Sequence, residues 1–318
     1  MIRYYLKDGK NLQVAENIEE LNEHPKLHSI IWIDMLMPTI SEVKAVERLF
    51  DLEFPTKAES EEIEISSRYW EEGRKVEINS YFLVNNEENP YNETVSFVMQ
   101  DNLLVSIRYK PLRSFDEFTN KLFVSFKEFK SGYDIFSKII DIRIDADADT
   151  IEALGRDINK IRRQVFNDYA NEDEELLEKI SAFENLNMRI RENVTDKQRI
   201  LTSILKSSKF PEELKKDITI MLKDVRSLIE HTDFNFERLD YLQSIFLGML
   251  SIEQNKAIKI FTIVNVIFLP PTLIASIYGM NFDIMPELHW KFGYVLAIVL
   301  MICSVAVPLF IFKKKGML

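Results

Sequence analysis

Two apolar runs of 21 residues, Ile258 to Tyr278 and Phe292 to Phe312, constrain this chain more than any other feature. The first is interrupted only by Lys259, Asn265 and a few hydroxyls, and the second carries no charge at all. The hydrocarbon core of a bilayer is crossed by roughly 20 apolar helical residues, so each run is long enough to span it. Only 13 residues, Gly279 to Lys291, separate them. The expected element is therefore a two-helix transmembrane hairpin closed by a tight loop.

Mean hydropathy over the whole chain is −0.12, so most of the remaining sequence is suited to water. The net charge of −11 is unevenly spread. Residues 251–318 hold six lysines against Glu253, Asp283 and Glu287, a balance of +3, which leaves −14 on the first 250 residues. Such a surface argues against nucleic acid, whose phosphates require a Lys and Arg excess. It suits cations, or serves solubility alone. The lone Cys303 lies inside the second run and allows no intrachain disulfide. Residues 1–20 contain no apolar core of a secretory signal, so the amino-terminal bulk is expected in the cytoplasm. Lys256 and Lys259 flank the first run and Lys313–Lys315 follow the second, whereas the loop has two acids and one Lys. Both ends are then expected inside and the loop outside.

Residues 1 to about 110 read as α/β. Short β-rich runs at Ile2–Leu6 and Leu12–Val14 flank a Gly9 turn, a hairpin pattern. Ser29–Met35 has the apolar continuity of a buried strand, and Ser41 is placed as the cap of a helix reaching Phe50. Further strands are expected at Arg74–Asn79, Tyr81–Val84, Val95–Met99 and Leu103–Tyr109, giving a mixed sheet with a few helices.

From Phe115 the apolar period becomes 3.6, with helices at about 115–130, 134–168 and 174–206 and another from Pro211. Proline suits a first helical turn and Glu212 and Glu213 suit its positive dipole end. If that helix runs on to Ile277 it is roughly 100 Å long at ~1.5 Å per residue. It carries an apolar stripe at Leu222, Val225, Ile229, Thr232, Phe236, Leu239, Gln243, Phe246 and Leu250. The upper half of such a seam suits its own domain's helices, the lower half copies of itself. Two spans cannot enclose a pore, so a conduit requires a ring of subunits.

Asp145, Asp147 and Asp149 open like a calcium loop, but Thr150 and Arg156 occupy the positions that need Gly and Glu, so the run is expected to be a solvated helical face. The sequence has no G-x-x-x-x-G-K-[ST] and no G-x-G-x-x-G, no ligand spacing among its four His and no Ser/His/Asp constellation. Neither a nucleotide nor an enzymatic reaction is indicated.

Tyr278-Gly279-Met280-Asn281, followed by Met285-Pro286-Glu287-Leu288, resembles the CorA family of magnesium transporters, whose mark is Gly-Met-Asn at the outer end of the first of two C-terminal spans. Ile252-Glu253-Gln254-Asn255-Lys256, the double Pro270-Pro271 and the basic tail extend the resemblance. It implies a homopentameric funnel, with the first span lining a pore and the second outside it. Gly279, Met280 and Asn281 would form the outer selectivity ring and Asn255 an amide ring at the inner mouth. Ile258, Phe261, Leu269 and Thr272 would line or gate the pore, with Leu269 and Phe261 at its hydrophobic constriction. The family also senses cytoplasmic Mg²⁺ through carboxylates between subunits; Asp217 and Asp224 are offered for that role without a motif match.

The resulting layout is an α+β cytoplasmic domain with a mixed sheet and helices (1–205), a stalk helix (206–257), spans at 258–278 and 292–312, an extracytoplasmic loop (279–291) and a basic cytoplasmic tail (313–318). Mg²⁺ dehydrates reluctantly, and a ring of amide oxygens can hold its water shell without trapping it. Asp283 and Glu287 would raise the local cation concentration. Expected cargo is Mg²⁺, with Co²⁺ and Ni²⁺, entering across the inner membrane down the electrochemical gradient, worth ~2.3 kcal/mol per charge per 100 mV. Cytoplasmic Mg²⁺ would close the path. A zinc or other divalent-cation carrier of the same superfamily, or a non-conducting membrane-anchored sensor or scaffold, are the alternatives.

Overall fold

The computed structural model describes residues 1–8, 11–16, 29–62, 68–86, 89–167, 173–281 and 285–314. The chain falls into two compact units, Met1–Gln243 and Ser244–Leu318.

The first unit is built on a seven-stranded mixed sheet of order β2-β1-β3-β7-β6-β5-β4. Its strands are β1 (Ile2–Asp8), β2 (Asn11–Ala15), β3 (Ile30–Leu36), β4 (Tyr69–Glu72), β5 (Lys75–Val84), β6 (Tyr91–Gln100) and β7 (Leu103–Arg108). Only the β3–β7 pair is parallel. The hairpin at the amino terminus forms as expected, while its turn residues Gly9 and Lys10 lie outside the described residues. The two strands expected at 74–79 and 81–84 are one, because Ser80 is buried and continues the ladder opposite Val95.

Helix α1 (Ile40–Phe50) covers one sheet face, packing Val46 against Tyr4, Ile33, Val98 and Val105. Its cap is Thr39, not Ser41: Thr39 Oγ1 accepts from the Glu42 amide and Glu42 accepts from the Thr39 amide, a capping box. The same device starts the short α2 (Lys57–Ser60) at Thr56 and Glu59. The opposite face is aromatic. Trp32 stacks on Tyr5 at 4.3 Å and meets the edge of Phe118 from α3 (Arg113–Ser125). Fully burying side chains of this size contributes about 1.5–3 kcal/mol each. Asp34, the one acid inside the apolar β3, is held by a bidentate Arg108 at 3.1 and 2.8 Å and by Ser106 Oγ at 2.9 Å. The parallel register makes this possible by setting Asp34 opposite Ser106 and Leu36 opposite Arg108.

Helices α4 (Gly132–Asn167) and α5 (Asp173–Lys206) lie on this aromatic side and close over β5 through buried charges. Asp147 is fully buried, which overturns the solvated face expected of residues 145–149; Asp145 and Asp149 are exposed. Arg143 Nε donates to Asp147 at 2.9 Å and its Nη1 to the Leu83 carbonyl at 3.3 Å. Asn193 donates to the same carboxylate at 3.0 Å. Lys197 donates to the Tyr81 carbonyl at 2.7 Å, and burial pushes its ammonium down to about 8. Asp196 accepts from the Tyr81 amide at 2.9 Å, although burial raises its carboxyl above the usual range. An unpaired charge at any of these positions would be costly, and the pairing explains how so much charge is buried.

Helix α6 runs from Glu212 to Tyr278, passing through Pro270 and Pro271. Within the first unit its buried positions include Val225, Leu228, Thr232, Asn235, Leu239 and Leu242. The expected stripe is right at 222, 225, 232, 239 and 246, whereas Leu228, Asn235 and Leu242 take the places assigned to Ile229, Phe236 and Gln243. Asn235 is small enough for a close approach to Gly155 of α4, where an added Cβ would stand 4.0 Å from its Oδ1.

In the second unit, α6 continues to Tyr278, a 3-10 turn spans Pro286–His289 and α7 spans Gly293–Lys314. Both α6 and α7 contain windows long and apolar enough to cross a membrane, with hydropathies of 2.1 and 2.9.

Candidate functional site

The apolar end of α6 stops where the sequence turns to Gly279-Met280-Asn281. The Gly279 amide still donates to the Ala275 carbonyl at 2.9 Å and the Met280 amide to Ile277 at 3.3 Å. A Cβ on Gly279 would lie 3.1 Å from the Ala275 oxygen, so glycine allows the chain to leave the helix this tightly. Asn281 follows immediately, exposed, with no side-chain partner among the described residues. An amide there is free to present its oxygen to a ligand or to a hydrated ion.

The loop returns through a second close contact. In the 3-10 turn the Trp290 amide donates to the Glu287 carbonyl at 3.3 Å, and the Gly293 amide to the Trp290 carbonyl at 3.0 Å. A Cβ at Gly293 would stand 2.1 Å from the Glu287 oxygen, so the turn sits directly against the start of α7. Glu287 itself is exposed, while Asp283, named with it for cation attraction, lies outside the described residues. Trp290, Phe292 and Tyr294 are all exposed at this end of α7, and Lys313 and Lys314 mark the other end. Aromatic and basic residues concentrate in this way at the two boundaries of a bilayer.

The continuous helix sorts the remaining candidates. At about 100° per residue, positions 255, 258, 262, 265, 269, 272 and 276 fall within roughly a third of the circumference. This face carries the polar Asn255, Thr262, Asn265, Thr272 and Ser276, with Ile258 and Leu269 between them, and Phe261 lies at its edge. The hydroxyls of Thr262 and Thr272 donate back to the Ile258 and Phe268 carbonyls at 2.7 and 2.6 Å, which leaves their oxygens as acceptors. Ile258, Phe261 and Leu269 are 61%, 69% and 65% exposed within the chain, so nothing in one copy covers them. Thr262, Asn265 and Ser276 are joined to this face by their three-four spacing along the helix.

Asp217 and Asp224 stand apart from this face, on the part of α6 that belongs to the first unit. Asp217 lines a groove of about 400 Å³ with Asp134 and Asp141, and Asp224 one of about 430 Å³ with Asp145, Glu152 and His231. Partial desolvation raises the Asp145 carboxyl even at its largely exposed position, and the charges of Asp141, Asp149 and Asp224 add to the effect against the opposing Lys138. Among the described residues no three His, Cys, Asp or Glu side chains of one chain are placed to hold a metal ion.

The model of the family described as "CorA-like Mg2+ transporter protein" matches residues 28–314. The chain belongs to this family. A "Magnesium transport protein CorA" of Wolinella succinogenes is 47% identical over 311 residues, covering 96% of this chain and 97% of that relative. One of the same description from Campylobacter jejuni is 39% identical over 330 residues, covering 100% of both. Among solved structures, the complete CorA magnesium transporter from Methanocaldococcus jannaschii matches with a TM-score of 0.82 over 100% of this chain and 99% of its own, at 19% identity. That likeness shows the CorA fold, from the mixed sheet through the long helix to the C-terminal apolar helix.

Proposed function

We propose that this chain is the subunit of a homopentameric Mg²⁺ channel of the cytoplasmic membrane, with α6 lining the path and Asn281 at its outer mouth. The observation that carries this reading is the single face of α6 that gathers the intramembrane polar residues and leads to Gly279-Met280-Asn281. Polar groups at membrane depth turn toward a cavity or a partner, and one chain supplies neither.

In this reading residues 1–205 and the stalk 206–257 are cytoplasmic, 258–278 and 292–312 span the bilayer, and 279–291 faces outward. The tail from 313 lies inside, in keeping with its lysines. Five copies of Asn281 present neutral amide oxygens that accept hydrogen bonds from the water shell of a hard cation. Ile258, Phe261 and Leu269 close the path as apolar rings, and Asn255 and Thr272 rewet it on either side. The ion enters down the membrane potential, with Co²⁺ and Ni²⁺ admitted as ions of similar size. Mg²⁺ held between subunits by carboxylates such as Asp217 and Asp224 keeps the acidic domains together; its loss lets them repel and the apolar rings part. Asp283 and Glu287 enrich cations at the entrance.

Ion flux into liposomes containing the purified protein tests the proposal, with Co²⁺, Ni²⁺ and Zn²⁺ as competitors. Asn281→Ala is expected to abolish selective Mg²⁺ uptake. Unchanged uptake and selectivity in that variant would refute the assignment of the outer ring.

A further inference from the structure

A groove of about 480 Å³ between β5 and α5 runs against the charge of the rest of the chain. The first 250 residues carry a large acidic excess, yet Arg68, Arg189, Arg191 and Arg199 line this one groove. The acids near them are already engaged. Asp196 accepts from the Tyr81 amide and from Ser80, and lies 3.5 Å from Arg68. Glu192 takes Arg189 Nη1 at 3.1 Å, and Asp233 takes Arg191 Nη1 at 2.6 Å. Two sets of donors remain. Arg189 Nε is buried without a hydrogen-bond partner, and Arg199 is exposed with none among the described residues.

Arginines that line one concavity with donors left unpaired, Arg199 at the surface and Arg189 beside it, match the oxygens of a phosphoryl group, which the planar fork of arginine meets with paired charge-assisted hydrogen bonds. The wall beside them is flat and polarisable. Arg68, only 3% exposed, stacks on the Tyr81 ring with its guanidinium carbon 4.0 Å from the centroid, and Met188 also lines the groove. The volume falls in the roughly 300–1,000 Å³ range of small-molecule sites and exceeds the need of a single phosphate ion.

We infer that the groove between β5 and α5 is a binding site for a phosphorylated small molecule, a polyphosphate or nucleotide whose anionic tail is held by Arg189 and Arg199 and whose body lies against Arg68 and Tyr81. The site is cytoplasmic in the proposed orientation but is independent of ion conduction, because binding alone reads it out.

The experiment is calorimetric titration of the full-length protein in detergent, with EDTA present so that no divalent ion mediates contact. Inorganic tripolyphosphate and ATP are titrated separately. Saturable binding that weakens with added salt is expected for both, and tighter binding of ATP would place its base against Tyr81. Arg199→Glu, at an exposed position that tolerates the change, and Arg189→Ala are each expected to weaken binding by about tenfold or more, as removal of a charge-assisted contact does. Lys313→Ala combined with Lys314→Ala is expected to leave it unchanged. Absence of saturable binding up to about 5 mM, which corresponds to less than the weakest useful affinity, overturns the site. So does binding that the lysine variant loses and the arginine variants keep.

Discussion

Lys197 Nζ lies 3.5 Å from Asp147 Oδ2, and the two side chains are 1% and 0% exposed. They form a buried ion pair, and the Lys197 ammonium also donates to the Tyr81 carbonyl and the Asn193 amide oxygen. The pair joins α4 to α5, and through Tyr81 joins both to the sheet.

Removing Asp147 takes the carboxylate from both Lys197 and Arg143, whereas removing Lys197 leaves Asp147 with Arg143 and Asn193. Asp147→Asn is expected to cost about 3–5 kcal/mol and Lys197→Met less, while Asp147→Leu combined with Lys197→Met does not recover the loss, because Arg143 is then buried without its carboxylate. Denaturant unfolding of the detergent-solubilised protein, followed by tryptophan fluorescence at Trp32, measures both.

The same lysine gives stability a pH dependence of defined sign. Burial lowers Lys197 from 10.5 to about 8, so between those values the unfolded chain binds a proton that the folded chain does not. Stability from this group therefore rises with pH across that window, by at most about 1.4 kcal/mol per unit. Tyr4, raised by burial to about 12, acts in the opposite sense above pH 10, where the folded chain keeps the proton. Unfolding midpoints at pH 8, 9 and 10 should rise in the parent relative to Lys197→Met; parallel profiles would remove Lys197 as the source.

Gly132 begins α4 with its amide donating to the Asn102 carbonyl at 2.7 Å. A Cβ there would meet the Leu104 amide nitrogen at 2.5 Å. Gly132→Ala should cost about 1–3 kcal/mol, as overpacking against backbone does. A thermal scan of the variant beside the parent is sufficient.

Gly293 and Gly248 predict opposite outcomes for the same substitution. Gly293→Ala drives a methyl into the Glu287 carbonyl and should displace the 3-10 turn, reducing Mg²⁺ flux several-fold at normal membrane abundance. Gly248 has nothing within 4 Å of a built Cβ, and Gly248→Ala should transport like the parent. Flux normalised to protein in the liposomes compares them.

Leu269→Asn places an amide in the proposed apolar constriction and should lower the barrier to wetting. Expected is uptake that persists when the cytoplasmic side holds millimolar Mg²⁺. Retained closure would move the constriction away from Leu269.

Much of this architecture is legible in the sequence where one physical signal dominates. The two 21-residue apolar runs, the alternation of the strands and the Gly-Met-Asn triplet are local, and the elements appear where those signals lie. What escapes is set by distant partners. Nothing around Asp147 announces that Arg143, Asn193 and Lys197 will converge on it, and Ser80 looks like a strand break until Asp196 reaches over from α5. The Thr39 cap was readable from Glu42 three residues on, but Ser41 sits closer to the apolar pattern. The arginine groove draws on residues 68 and 189–199, a separation that no motif records.

Pro270 and Pro271 carry no amide hydrogen, so the carbonyls of Val266 and Ile267 lack the donors that an unbroken α6 would give them. Those two missing rungs adjoin Leu269 and make this the mechanically softest turn of a 67-residue helix. A bending load on α6 concentrates its strain there, so a small deflection reaches Leu269, the residue proposed to form the constriction.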